Sequence, residues 1–466
     1  MNKLAEHSLL NKNDAITVEI TDMSFPDGYG VAKHEGLVVF VPDCVPGDIA
    51  EIRIVKNNKN LAYGELLKIE TPSLYRVTPA CPHSDICGGC TMQNLSYEKQ
   101  LHIKENYLKE SLKRIGRIDI ENISISSIVP SPDIHFYRNK IELAFGEDGH
   151  GIILGMRKRV PLSGKYAWDV TPLMKCDIFS SIIQKIIPLF ISFAHKNYLS
   201  AYNPLNGKGF LRHLILREAK STGNIMAVIE TTKGKLPDTT ELWQNLVQEI
   251  PNIKSLYRII NDKPGDVIHY ERSSRFFGES YITESMGDTS FRIYPESFFQ
   301  PNPRAAHLLY ARLAEFVQQE SNNGKVLGLY CGTGPIEIFL SQYAKEVIGV
   351  DSSHTNITTA KENCRMNRIE NCAFHEGRVE NVLKTLPLSN VDLLVVDPPR
   401  EGISKDGLAL MFTIKPKTIA YISCNPSTLS RDLKEFIGQG YAIAEIAPFD
   451  FFPHTSHMET LAILGR

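Results

Sequence analysis

Three cysteines fall within the ten residues CPHSDICGGC, Cys81–Cys90, in a chain of 466 residues that holds 9 cysteines in all. Thiolates clustered as C-x5-C-x2-C bind zinc or iron–sulfur centres, or pair as disulfides where the compartment oxidises them. The opening MNKLAEHSLL lacks the apolar run of an export signal, so a cytoplasmic, reducing setting is expected and a metal is favoured over disulfides. Either centre wants four ligands. His83 within the loop and the distant Cys176, in PLMKCDIF, are the candidates for the fourth. Gly88 and Gly89 let backbone N–H groups approach the sulfurs, which suits a zinc knuckle and an iron–sulfur cluster equally; buried thiols without metal are the plainer reading. The spacing is longer than the C-x3-C-x2-C associated with radical S-adenosylmethionine chemistry.

A second set of reactive residues lies toward the C-terminus. KVLGLYCGTG, Lys325–Gly334, is an apolar run leading into a glycine turn, and the next apolar run, EVIGVD, ends in Asp351. VDLLVVDPPR then delivers Asp397, and KTIAYISCNP delivers Cys424. Each apolar run reads as a buried parallel strand, and ligands of such sheets sit beyond the strands' carboxyl ends, so Gly332, Asp351, Asp397 and Cys424 are expected to converge. The turn lacks the third glycine of dinucleotide binders, and with D-P-P it fits S-adenosyl-L-methionine better than NAD; a dehydrogenase is the second reading. Beside such a donor, a thiolate can add to C6 of a uracil ring and make C5 nucleophilic, after which a base must remove the C5 proton. HTSHMET supplies Glu459 for that task, on what reads as the last strand. Singly, Cys424 is a buried small hydrophobe, Glu459 a surface carboxylate and Cys331 packing. D-P-P also resembles the D-P-P-Y of exocyclic-amine methyltransferases, but Arg400 stands in the aromatic's place. The second cysteine that cytosine-5 enzymes carry in this loop is missing.

The elements that must position these residues follow from composition and pattern. At 42% hydrophobic and 22% charged residues the chain has apolar content for several cores. Its formal net charge of -2 gives no global sign of a polyanionic partner. Arg138–Lys140, Met156–Arg159 and Arg212, Arg217, Lys220 are basic islands that singly read as solvated faces. From about Ile16 to Glu70, short β-rich runs with PDGYG and VPGD turns predict a small OB-like barrel. YEKQLHIKENYLKESLKRIG reads as a helix with lysines on its polar face. The strand pairs FYRNKIELAFG with GIILGMRK and GFLRHLILREA with GNIMAVIET follow. The expected architecture is therefore multidomain α/β: a barrel over 10–71, a central α+β domain with the cysteine loop over 72–290, and a Rossmann-like methyltransferase domain over 291–466.

Taken in order, CPHSDICGGCTMQ, FYRNK, LRHLILRE, SFFQPN, LYCGTG, DPPREG, ISCNP and DFFPHTSHMET make most of the chain resemble the uracil-5 RNA methyltransferases, in particular the 23S ribosomal RNA uracil-5-methyltransferases of the RumA type. The resemblance implies a TRAM barrel and a 4Fe-4S cluster held by Cys81, Cys87, Cys90 and Cys176, with His83 left out. It implies S-adenosylmethionine contacts from Gln300, Tyr330, Asp351 and Asp397, Cys424 as nucleophile and Glu459 as base. Two positions depart from the family pattern: Gly328 stands where Asp is usual, and Asp351 where Glu is common. The transfer RNA branch typically lacks both barrel and cluster, so the implied substrate is a flipped-out uridine of 23S ribosomal RNA, with flanking RNA held by the barrel and the basic islands. A transfer RNA enzyme, or an inactive iron–sulfur RNA-binding protein, are the alternatives. Cationic or N–H groups, including those where the chain enters a helix at Ser427, are expected to depress the Cys424 pKa.

Overall fold

The computed structural model describes residues 10–466 except 59, 160–167, 271, 321, 322 and 387; the opening stretch up to residue 9 lies outside the described residues. Strands Ala15–Met23, Gly30–His34, Leu37–Val41, Ile49–Asn58 and Leu61–Thr71 close into a barrel. Alternate residues such as Val18 and Ile20, Val39 and Val41, Ile52 and Ile54 fill its interior, the period of two that a strand with one buried face requires. Packing is tight enough that a Cβ on Gly64 would lie 2.6 Å from Ile52 Cδ1.

Next comes a 7-stranded sheet, in spatial order Ser273–Gly278, Ile253–Ile260, Ile225–Thr231, Leu211–Glu218, Lys140–Asp148, Gly151–Arg157 and Val170–Pro172. Both strand pairs read from the sequence are antiparallel neighbours, with Ala144 opposite Gly155 and Val228 opposite Ile215. Helices Ile183–Lys196 and Thr240–Glu249 cover the face bearing Leu143, Leu214 and Leu256. Ile215, Met226 and Val228, on the other face, join the core of the C-terminal region. Two residues of one basic island turn out to be internal struts. Arg212 is fully buried, donates to the carbonyls of Asn261 and Lys263, and stacks 4.1 Å from the Tyr202 ring centroid. Arg217 is buried too, donating to Pro295 O at 3.1 Å and Ser297 O at 2.6 Å.

The C-terminal sheet is also 7-stranded, ordered Cys372–Glu376, Ala344–Asp351, Gly324–Leu329, Leu393–Val396, Thr418–Ser423, Glu459–Gly465, Ala442–Phe449. The first five strands are parallel, Glu459–Gly465 runs antiparallel to both of its neighbours, and Ala442–Phe449 again runs with the first five. Strand order reverses at Gly324–Leu329, the switch point at which such sheets open a binding crevice. The predicted helix spans Tyr97–Ser111 and ends in a wider π turn, Leu112–Gly116. Its Leu108 and Leu112 pack into the C-terminal core with Leu429 and Leu433. Lys104, expected on the polar face, is fully buried and 2.6 Å from the equally buried Asp450, an anchor that would leave an uncompensated charge if either partner were removed. Beyond the helix, Ile125 and Val129 bridge to Ile446 and Phe449 of the edge strand.

Candidate active site and cysteine cavity

Adjacent strands of the C-terminal sheet end in the residues singled out from the sequence. Moving across the sheet, Asp351 closes Ala344–Asp351, Tyr330 follows Gly324–Leu329, Asp397 follows Leu393–Val396, and Cys424 follows Thr418–Ser423. Glu459 opens the antiparallel neighbour, in which Thr460 pairs with Ser423. Because that strand runs the other way, its first residue lies at the same rim as Cys424. Five side chains are thus strung along one edge by strand order alone. The glycine turn is locked onto this rim: Gly332 N–H donates to Asp351 Oδ2 at 3.0 Å, and Ser353 N–H to Oδ1 at 2.8 Å. Tyr330 sits at φ 62°, a left-handed conformation uncommon for a bulky side chain and characteristic of functional turns.

Gln300 comes from the SFFQPN loop, and its Nε2 is 3.4 Å from Asp397 Oδ2. Several motif residues whose purpose the sequence left open hold these loops. Asn139 of FYRNK donates from Nδ2 to Gln300 O at 2.8 Å and from its backbone to Pro301 O at 2.8 Å, while Thr333 Oγ1 donates to Phe298 O at 3.0 Å. The HTSHMET loop before Glu459 is tied to the rest of the chain by His454 N–H to Gln100 Oε1 at 2.8 Å, Thr91 N–H to His454 O at 3.0 Å and Ser456 Oγ–H to the barrel's Pro26 O.

The electrostatics of the rim differ from expectation. Burial pushes the Cys424 thiol up to about 12, reinforced by Glu459 and Asp397 and opposed by Arg400. Glu459 is buried, and burial, with Asp397 beside it, holds its carboxyl well above the carboxylate range; Arg400 again opposes. Asp397 is raised by burial to about 7. The anticipated depression of the thiol does not arise, for a local reason. The helix after Cys424 is Pro426–Gly438, its cap Asn425 accepts the Ser427 N–H at 3.0 Å, and Ser427 Oγ bonds the Tyr107 hydroxyl at 2.9 Å, so Ser427 has its partners elsewhere. Arg400 is the cation that acts on both groups. Its signal in the sequence is its place directly after D-P-P, where it stands in place of the aromatic of D-P-P-Y.

Cys81, Cys87, Cys90 and Cys176 line one cavity of about 390 Å³ together with Gly89, Met156 and Phe298. Gly89 N–H points at Cys87 Sγ at 3.4 Å. His83 is buried with its Nε2 accepting the Met174 N–H at 3.1 Å; its free lone pair is used to hold the segment that carries Cys176. Arg159 spans the loop, donating to Cys87 O at 3.2 Å and Cys90 O at 2.8 Å while pairing with Asp43 of the barrel at 2.5 Å. Arg159, from a second basic island, is likewise structural. Burial raises the free thiols, Cys90 to about 12 and Cys176 to about 11. Among the described residues no three His, Cys, Asp or Glu side chains gather tightly enough to hold a single metal ion; the thiols are arrayed around the cavity.

Comparison with known proteins identifies the family. The family profile described as tRNA (Uracil-5-)-methyltransferase matches residues 266–466, and that of the TRAM domain residues 11–67. An RNA methyltransferase of Clostridium acetobutylicum is 37% identical, with 98% of each chain aligned, and one of Bacillus cereus is 35% identical over 98% of each. The crystal structure of the Pyrococcus abyssi tRNA (uracil-54, C5)-methyltransferase with S-adenosyl-L-homocysteine is 30% identical, covers 96% of this chain and 100% of its own, and has a TM-score of 0.76. The chain therefore belongs to the RNA uracil-5-methyltransferases, S-adenosyl-L-methionine-dependent enzymes, and carries a TRAM barrel at its N-terminal end.

Proposed function

We propose that the protein methylates C5 of a uridine in 23S ribosomal RNA through a covalent adduct between Cys424 and C6. The observation that carries this is the rim order Asp397, Cys424, Glu459, which sets a thiol directly beside a buried carboxyl at the crevice of the sheet. When bound, the donor supplies an electrophilic methyl group on its sulfonium, and Gln300, Tyr330, Asp351 and Asp397 hold it. The Cys424 thiol gives up its proton to solvent and Sγ adds to C6, and the electron pair displaced onto C5 takes the methyl group as its bond to the donor sulfur breaks, leaving a neutral thioether. Glu459 then takes the C5 proton, the C5–C6 double bond returns and the C6–S bond breaks. Its high pKa makes the ionised Glu459 a strong base, and Arg400 favours ionisation of both Glu459 and Cys424. A uridine must leave its stack to present C6 to the thiol, which unpaired RNA permits at least cost.

The four cysteines fit a 4Fe-4S cluster: four thiols face one cavity, a backbone N–H points at a sulfur, and the lining is largely apolar. Their spread around the cavity suits a polynuclear cluster better than a single zinc ion. The cavity reaches Phe298 and Pro301 on either side of Gln300, and no step of the methyl transfer is assigned to the cluster.

A second reading, a transfer RNA substrate, is favoured by the Pyrococcus neighbour, whose alignment with 96% of this chain takes in the barrel; a barrel does not by itself separate the two substrates. Mass spectrometry of ribosomal and transfer RNA from cells with and without the gene tests the choice. Loss of 5-methyluridine from 23S RNA alone is expected, and loss from transfer RNA alone would transfer the assignment.

A further inference from the structure

Beneath the glycine turn lies a carboxyl group to which the chemistry above gives no task. Glu337, on the short helix Pro335–Leu340, is 2% exposed, and its Oε2 has no hydrogen-bond partner among the described residues. A buried polar atom left unpaired is costly and calls for a reason. Its Oε1 lies 1.9 Å from where a Cβ on Gly328 would stand, so Glu337 fills the space of a side chain at the position that precedes Leu329 and Tyr330 in the strand. The charged and titratable groups around it are Asp397 and Asp351 at the rim, Cys331 of the turn, and Cys364 and Cys372 of the elements behind. The Tyr310 hydroxyl, buried and likewise unpartnered, is influenced by the same Glu337 and Asp397.

We propose that Glu337 is a positioning residue for the methyl donor: acting through the glycine turn, its carboxylate supplies the negative charge facing the cationic methionine end of S-adenosylmethionine, a charge that Gly328 in the strand cannot supply. The inference rests on the reading that this turn holds the donor. In the free protein, burial with Asp397 and Asp351 nearby pushes Glu337 up to about 8. The donor's ammonium and sulfonium favour the ionised form, so binding releases a proton and affinity rises with pH toward 8. Stability of the ligand-free fold runs the other way. A carboxyl whose pKa is raised on folding binds more protons folded than unfolded, so its contribution is fully present below the unfolded value and is lost as pH rises to about 8.

Isothermal titration of S-adenosylmethionine into the full chain, in two buffers of different ionisation enthalpy at pH 6.5 and 8.5, tests this with Glu337→Gln and with the relocated pair Gly328→Asp/Glu337→Gly. Glu337→Gln is expected to weaken the donor about tenfold at pH 8.5, the size of one unit of charge coupling. It should keep only the proton release due to Asp397, and without ligand it should melt higher than wild type at pH 8.5. The relocated pair should recover affinity by returning a carboxylate to the same space. Wild-type affinity and proton release in Glu337→Gln would overturn the proposal. So would a folded relocated pair that fails to recover binding, which decides the matter should Glu337→Gln not fold. A wild-type chain that binds no donor would instead overturn the reading of the turn itself.

Discussion

The rim of the C-terminal sheet and the cysteine cavity concentrate chemistry in opposite ways. At the rim, Asp351, Tyr330, Asp397, Cys424 and Glu459 each end or open a strand, and neighbouring strands lie about 4.8 Å apart, so strand order alone decides which side chains meet. Around the cavity, Cys81, Cys87, Cys90 and Cys176 stand on loops whose places depend on particular anchors, Arg159 on two carbonyls and His83 on the Met174 N–H. A site made of strand ends inherits the rigidity of the sheet. One made of loops needs further residues to hold it, and in this chain some of those residues had looked like contacts for something else.

From that contrast, changes at the rim are expected to act on rate, and changes at the cavity on metal content and fold. The largest effect is expected from Cys424→Ala, which should lower methyl transfer by roughly 10⁴-fold or more while leaving S-adenosylmethionine affinity within about twofold, because the thiol's bond exists only along the reaction path. Equal loss of donor binding would show that Cys424 supports the site structurally. Glu459→Gln should slow turnover by about 10²–10³-fold and let a protein–RNA adduct accumulate on denaturing gels, since addition precedes removal of the C5 proton. Normal turnover in that variant removes Glu459 as the base.

A smaller effect tests the electrostatics. Cys424 and Glu459 are both raised, and the proposed mechanism uses both in their ionised forms, so the transfer rate should climb with pH through neutrality and above. Arg400 favours both ionised forms; Arg400→Ala should therefore move the rising limb to higher pH and cost about tenfold near pH 7.5. An unshifted profile would mean that Arg400 does not govern either group. The smallest rate effect belongs to the cavity. Anaerobically reconstituted wild type should hold about four irons per chain, and Cys176→Ala should lose them and melt earlier, yet change donor affinity only a few-fold through Phe298 and Pro301, which line the cavity on either side of Gln300. Stoichiometric zinc in place of iron would refute the cluster.

What could be read in advance follows the same division. Apolar runs ending in Asp351, Asp397 and Cys424 announce strand ends, because a buried parallel strand must be apolar throughout and its loop must hold the ligand. The barrel was legible from its short β-rich runs and turns, and both hairpins of the middle sheet from their paired runs. Side chains that work as struts were not. Arg212, Arg217 and Lys104 look like solvated charges because composition cannot reveal that carbonyls or Asp450 await them in the interior. Ser427 looked available as a donor, but the Asn425 cap that takes its N–H is set by backbone geometry. Gly328 read as a missing charge, while the carboxyl in its space is nine residues on, in a helix.

The most direct test of the central claim, that Cys424 attacks a uracil ring, uses ribosomal and transfer RNA transcripts made with 5-fluorouridine and incubated with the full chain and S-adenosylmethionine. Fluorine at C5 cannot be removed as a proton is, so the adduct persists. The predicted result is a covalent protein–RNA complex whose digestion yields the Cys424 peptide joined to a methylated fluorouridine, absent from Cys424→Ala. An adduct on Cys331, or no adduct from RNA that the protein methylates in unfluorinated form, would contradict it.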